Sequence, residues 1–232
     1  MKLSELSLKE QVAEAMRRVY SAALTTTSGG NISASDENGT IYITPSGIDK
    51  GSLTPDDIAA VTPDGKISGR YAPSMELPFH GDVYRVCNKV KAIVHAHSPA
   101  IVAYACMHLA PSSAYARVYE DILGEIAGSE YALPGSKTLG RIVEAEFKKG
   151  YRTVMMDNHG ATVGAKDLSE ALSMYETLDS LTQALFYAKT LGGAKLPRER
   201  ITLPEAGYEV CESLTCDPSA RREVVSFVKR AY

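Results

Sequence analysis

Apolar residues recur at helical spacing near the start of the chain, where Val12, Ala15, Met16 and Val19 share one face of a helix predicted to reach about Leu24. Ser7-Leu8-Lys9-Glu10 has the form of a capping box and marks its start. A Thr/Ser/Gly-rich segment from Thr25 to Ser35 follows without periodicity. Ile41-Tyr42-Ile43-Thr44 reads as a strand that stops at the turn residues Pro45-Ser46-Gly47. Pro55-Asp56-Asp57 opens a short helical turn, and Pro63-Asp64-Gly65 predicts a hairpin. Met75 to Val86 has helical spacing, and Ala92-Ile93-Val94-His95 is an apolar strand. Ser98-Pro99 then supplies an N-cap and a first-turn proline for a helix through Met107. Ser136 caps another helix, which Gly150 ends, and Thr153-Val154-Met155-Met156 forms a further buried strand. A long helix is predicted from about Leu168 to Leu191, and a last one from Pro218 to about Arg230. Strands interspersed with helices predict an α/β fold, a sheet covered by helices on both faces.

Composition narrows the setting. The 232 residues are 44% hydrophobic and 23% charged, which lies in the globular range. A chain of this length can bury one sizeable core without disulfide or structural metal. No internal repeat or low-complexity linker appears, so residues 1–232 read as a single domain. Lys+Arg 25 against Asp+Glu 28 leaves a net charge of −3, which gives no electrostatic basis for binding nucleic acid or an anionic membrane. No window approaches the ~18 consecutive apolar residues of a membrane span. The N-terminal residues lack the apolar run of a secretory signal. Cys87, Cys106, Cys211 and Cys216 are scattered without a CxxC pair, so free thiols in a reducing cytoplasm are expected.

His95-Ala96-His97 is the sharpest chemical feature. Residues i and i+2 of a strand share a face, so both imidazoles can converge on one ion. His159 also lies at the end of an apolar strand. Three neutral imidazoles leave open coordination positions on Zn²⁺, the catalytic arrangement. The pair alone also arises by chance in a strand. Glu76 and His80 stand four apart on one face of a predicted helix. Glu76 can serve as metal ligand or general base, whereas His80 is expected to be a packed, hydrogen-bonded helix residue. His108, near a helix end, is read in the same way. Thr27-Ser28-Gly29-Gly30-Asn31 and Thr44-Pro45-Ser46-Gly47 offer N–H groups and hydroxyls to an anion such as phosphate, although such clusters are also ordinary turns. Ser74 can add a hydroxyl to the same pocket.

Taken in order, Ser28-Gly29-Gly30-Asn31-Ile32-Ser33, Ile43-Thr44-Pro45-Ser46-Gly47, Pro73-Ser74-Met75-Glu76, His80, Val94-His95-Ala96-His97, Tyr131-Ala132-Leu133-Pro134-Gly135-Ser136 and Asn158-His159-Gly160 resemble the class II aldolase/adducin family, in particular its L-fuculose-phosphate aldolase branch. The resemblance implies a three-layer α/β/α fold with a mostly antiparallel central sheet. It implies that His95, His97 and His159 hold a divalent ion, usually zinc, and that Glu76 is the acid/base, able to cap the metal until substrate displaces it. Gly30, Asn31, Ser46, Gly47 and Ser74 would bind the phosphate of a ketose 1-phosphate, which is cleaved to dihydroxyacetone phosphate and an aldehyde. A homotetramer with sites at subunit interfaces is implied, with a tyrosine from the neighbouring subunit as second acid; Tyr115 is nearest in spacing and Tyr119 is its rival. Glu rather than Asp at position 76 favours cleavage over 4-epimerisation. A sugar-phosphate decarboxylase or dehydratase fits the same residues, while a non-catalytic adducin-like domain would have lost them. Met75 departs from the Ser or Lys of many relatives, and Lys195 to Tyr232 matches no part of the pattern, which marks it as a variable tail.

Overall fold

The computed structural model describes residues 2–193; the expected C-terminal helix, the variable tail, Cys211 and Cys216 lie outside the described residues. Eight strands form one sheet: β1 (Asn31–Ser35), β2 (Ile41–Ile43), β3 (Ala59–Val61), β4 (Ile67–Ser68), β5 (Ala92–Ala96), β6 (Ile126–Ser129), β7 (Thr153–Met156) and β8 (Gly160–Ala165). Their order is β4-β3-β2-β1-β5-β8-β7-β6, and every pairing is antiparallel except β6 with β7. The helices are α1 (Leu8–Ser21), α2 (Leu77–Val86), α3 (Pro99–Cys106), α4 (Arg117–Leu123), α5 (Lys137–Lys148) and α6 (Leu168–Thr190).

Alternation along the strands divides the core in two. Ile32, Val94 and Val163 point to one face, where they pack with Val12 and Met16 of α1, Ile101 of α3 and Leu178 of α6. Ile93, Val154 and Met156 point to the other face, against Phe79 and Val83 of α2 and Val143 and Phe147 of α5. The expected three layers are therefore present, and each fully buried large side chain contributes about 1.5–3 kcal/mol. Among the described residues, no helix is long and apolar enough to cross a membrane. Cys87 and Cys106 are free thiols.

Local signals in the sequence act as anticipated. The Ser7 N–H donates to Glu10 Oε2 at 2.8 Å, closing the capping box of α1. Ser98 and Ser136 accept from the N–H groups of Ile101 and Leu139 at the starts of α3 and α5. The hairpin at Pro63-Asp64-Gly65 joins β3 to β4. Several elements depart from the pattern. α2 begins at Leu77 rather than Met75, because Glu76 takes the N-cap position with Pro78 in the first turn. β1 lies inside the segment read as aperiodic, and β6, β8 and α4 were not signalled by periodicity. β8 is buried along its whole length, so no polar–apolar alternation marks it.

Register is what places the site. Asn31 pairs with His95 across β1 and β5, and His95 pairs with Thr162 across β5 and β8. The central strands thus bring three buried polar residues into one row at one end of the sheet.

Candidate active site

His95 is fully buried at the end of β5, and His97 follows immediately in the connection to α3. His159 comes from the tight turn between β7 and β8, where Asn158 adopts a left-handed φ of 53°. One ligand atom from each of the three histidines lies within 4.8 Å of the others. The sheet therefore brings together the trio expected from the sequence. Two glycines permit this approach. A Cβ on Gly160 would stand 2.6 Å from the Ala96 carbonyl oxygen and 2.8 Å from His97 Cδ2. A Cβ on Gly30, whose φ is +66°, would stand 2.7 Å from the His95 carbonyl oxygen.

Glu76 is buried at the N-cap of α2. Its Oε2 lies 3.1 Å from His95 Nε2 and accepts from Asn31 Nδ2 at 2.7 Å. Its Oε1 lies 3.6 Å from His159 Nε2 and has no hydrogen-bond partner although it is buried. Burial alone would raise the carboxyl pKa, but the imidazole of His95, then His159 and the Asn31 amide outweigh it and hold Glu76 well below the usual carboxylate range. Burial, then the neighbouring His95, pushes His97 down to about 3 and His159 down to about 4. Both are neutral at physiological pH, as metal ligands must be.

The donor set can be tested for fit. His95 Nδ1 faces the Ala161 carbonyl oxygen at 3.0 Å and Thr162 Oγ1 at 3.1 Å. A carbonyl only accepts, so Nδ1 carries a proton, which leaves Nε2 as the nitrogen turned toward the cluster. That Nε2 stands 2.9 Å from His97 Nε2 and 3.1 Å from the Glu76 carboxylate. Ring nitrogens and carboxylate oxygens converging at these distances need a proton or a cation between them. Three imidazoles and a carboxylate fit a divalent first-row ion such as zinc.

The residues expected to hold phosphate occupy adjoining loops. Ser74 is buried; its N–H donates to the Thr44 carbonyl at 3.1 Å, and its Oγ accepts from the Glu76 N–H at 3.2 Å. The Ser46 N–H donates to the Ala72 carbonyl at 3.0 Å, tying the same two loops again. Gly47 is exposed with φ +68° and open space beside it. Asn31 departs from the simple expectation, because its side-chain oxygen and nitrogen are engaged by His80 and Glu76. Met75 is 71% exposed.

His80 is the packed helix residue anticipated, fully buried against Phe79. His108 is exposed and lies 2.8 Å from Asn158 Oδ1, outside the trio. Neither Tyr115 nor Tyr119 hydrogen-bonds to the histidine cluster among the described residues. Tyr119 OH lies 3.4 Å from Ser180 Oγ, and Tyr115 sits beside Tyr104.

Lys50 is a participant that the sequence pattern does not reveal, since an isolated lysine in a Gly/Ser-rich loop reads as solvated. It is 1% exposed. Its Nζ donates to the Pro45 carbonyl at 2.7 Å and its backbone N–H to the Thr27 carbonyl at 2.9 Å, joining the two Gly/Ser loops. Burial lowers its pKa from 10.5 to about 8. Between those values the unfolded chain binds the extra proton and the folded one does not, so stability rises with pH there. Urea unfolding should show wild type gaining about 3 kcal/mol relative to Lys50→Met between pH 7 and pH 11. A flat difference would mean that the ammonium is solvated.

Comparison with known proteins agrees with this geometry. Residues 10–186 match the family described as Class II Aldolase and Adducin N-terminal domain. A 3-oxo-tetronate 4-phosphate decarboxylase of Haemophilus influenzae is 29% identical over 198 residues, 84% of this chain and 92% of that protein. A 5-deoxy-D-ribulose 1-phosphate aldolase of Bacillus thuringiensis is 30% identical over 195 residues, 81% of this chain and 88% of that protein. A solved L-fuculose 1-phosphate aldolase superposes with a TM-score of 0.75 at 30% identity, covering 86% of this chain and 95% of that one. With its eight-stranded sheet, its histidine trio and a match over most of its length, the chain belongs to the class II aldolase and adducin N-terminal domain family.

Proposed function

We propose that this protein is a metal-dependent sugar-phosphate lyase that cleaves a ketose 1-phosphate, such as L-fuculose 1-phosphate, to dihydroxyacetone phosphate and an aldehyde. The observation that carries the reading is the convergence of His95, His97 and His159 on one point beside the buried Glu76 carboxylate. His95, His97 and His159 would hold a divalent ion, which would supply Lewis-acid stabilisation, worth several kcal/mol, for charge developing on the carbonyl oxygen without a Schiff base.

The chain's own residues do the rest. In the condensation direction Glu76 removes a proton from the hydroxymethyl carbon of dihydroxyacetone phosphate; in cleavage it returns that proton. It is ionised and buried beside the histidine trio, so a proton acceptor stands ready at the reacting carbon. Ser46, Gly47, Ser74 and Gly30 receive the phosphate through hydroxyl and backbone N–H groups, while the second Asn31 Nδ2 hydrogen remains available to the substrate. Tyr115 of a neighbouring subunit protonates the aldehyde oxygen. This assignment rests on the place of Tyr115 in the family pattern of the sequence, and it goes with a homotetrameric assembly.

Decarboxylation is a second reading, favoured by the Haemophilus influenzae relative. Loss of CO₂ from a phosphorylated 3-oxo acid places the same charge on the same kind of oxygen and needs the same proton. A panel of ketose 1-phosphates and phosphorylated 3-oxo acids separates the two, with dihydroxyacetone phosphate and CO₂ followed by coupled assays. Dihydroxyacetone phosphate is the expected product. A dominant CO₂ signal replaces the aldolase by a decarboxylase, and no turnover of either class by metal-loaded protein overturns the lyase reading.

A further inference from the structure

Behind Glu76 and Asn31 lie polar groups of His80, Ser33 and Tyr84 that the proposed chemistry does not use. Glu76 at the N-cap of α2 and His80 and Tyr84 within it recur every fourth residue, and Asn31 and Ser33 are alternate residues of β1, so each set lies on one side of its element. The two sets interdigitate. Tyr84 OH lies 2.7 Å from Ser33 Oγ, Ser33 Oγ lies 2.7 Å from His80 Nδ1, and His80 Nε2 lies 2.5 Å from Asn31 Oδ1. Asn31 Nδ2 completes the row at 2.7 Å from Glu76 Oε2.

The direction of every bond follows from the carboxylate end. An ionised carboxylate only accepts, so Asn31 turns its NH₂ to Glu76 and its carbonyl to His80. A carbonyl also only accepts, so His80 donates from Nε2. Burial, with His95 nearby, pushes His80 down to about 3, so the ring is neutral and Nδ1 is bare. Ser33 therefore donates to His80, and Tyr84 donates to Ser33. Beyond Glu76 the row is uncharged and each side-chain nitrogen and oxygen in it has a partner, the condition under which a buried polar network fixes geometry.

We propose that His80 is a positioning residue which, through Asn31, fixes the Glu76 carboxylate so that Oε1 is the oxygen that exchanges a proton with substrate. The proposal rests on the acid/base reading of Glu76. With Nδ2–H pointing at Oε2, a proton on that oxygen would face a donor. Oε1 is buried, without a hydrogen-bond partner and 3.6 Å from His159 Nε2, and it is free to take the proton. His80 itself touches neither the trio's ligand atoms nor the substrate.

The test compares His80→Leu, His80→Gln and Tyr84→Phe with wild type. Gln can restore a donor near the Nε2 position; Leu cannot. In His80→Leu, kcat should fall about tenfold to a hundredfold, the scale of one lost buried hydrogen bond. KM and bound metal should stay within about twofold. His80→Gln should recover most of the loss, and Tyr84→Phe should fall between. Independently of activity, ¹⁵N spectra of metal-free wild type at pH 7 should show His80 as the Nε2–H tautomer. The Asn31 side-chain NH₂ should exchange slowly in wild type and His80→Gln, and fast in His80→Leu. An Nδ1–H tautomer, or fast Asn31 exchange in wild type, overturns the proposal, as does a His80→Leu protein with wild-type kcat. If His80→Leu fails to fold, the wild-type spectra and Tyr84→Phe decide the matter. If wild type turns over no substrate, the acid/base reading falls, while the spectra still report whether the row exists.

Discussion

Glu76→Gln should keep its metal and lose turnover by about 10²–10⁴-fold, the range that a positioned acid/base contributes. The substitution preserves shape and hydrogen bonding. A Gln carbonyl still accepts from Asn31 Nδ2, now 2.7 Å from Oε2, and the three imidazoles remain to hold the ion. What disappears is a group able to carry a proton at Oε1. Both kcat and kcat/KM should fall together, because the lost interaction belongs to the transition state. Metal analysis and steady-state rates on the same preparation measure this. Near-normal turnover would remove Glu76 from proton transfer and leave it a metal cap only.

His95→Ala should have the other large effect, acting on metal and turnover at once. His95 is the member of the trio whose orientation is fixed from behind, by the Ala161 carbonyl and Thr162 Oγ1. Outer partners of this kind are worth about 10–100-fold in metal affinity, and loss of the ligand itself should exceed that. Zinc titration by calorimetry and rates at saturating metal measure both effects. A variant that binds zinc as wild type does would show that the ion lies elsewhere.

Much of this site is legible in the chain because chemistry-bearing residues sit where periodicity places them. His95 and His97 are two apart at the end of an apolar strand, and Glu76 stands four before His80 at the N-cap of its helix. The fold elements that escaped the pattern did so for physical reasons. β1 reads Asn-Ile-Ser-Ala-Ser, with polar residues on the face that meets α2, so it looks like loop although the Asn31 and Ser33 side chains are buried and paired. β8 reads Gly-Ala-Thr-Val-Gly-Ala, small residues that admit Phe147 and the neighbouring strands, and it lacks the bulky β-branched run that announces a strand. Lys50 gave no sign because burial of a lone lysine depends on which loops close over it. The direction of the hydrogen bonds behind Glu76 is likewise a property of the assembled site.

The most direct measurement is zinc K-edge absorption spectroscopy on wild-type protein loaded with one equivalent of zinc. Three imidazole nitrogens at about 2.0–2.1 Å, with the remaining positions filled by oxygen, is the expected result. A first shell containing sulfur, or fewer than two imidazoles, would contradict the account, because His95, His97 and His159 would then have been brought together for something other than holding the ion.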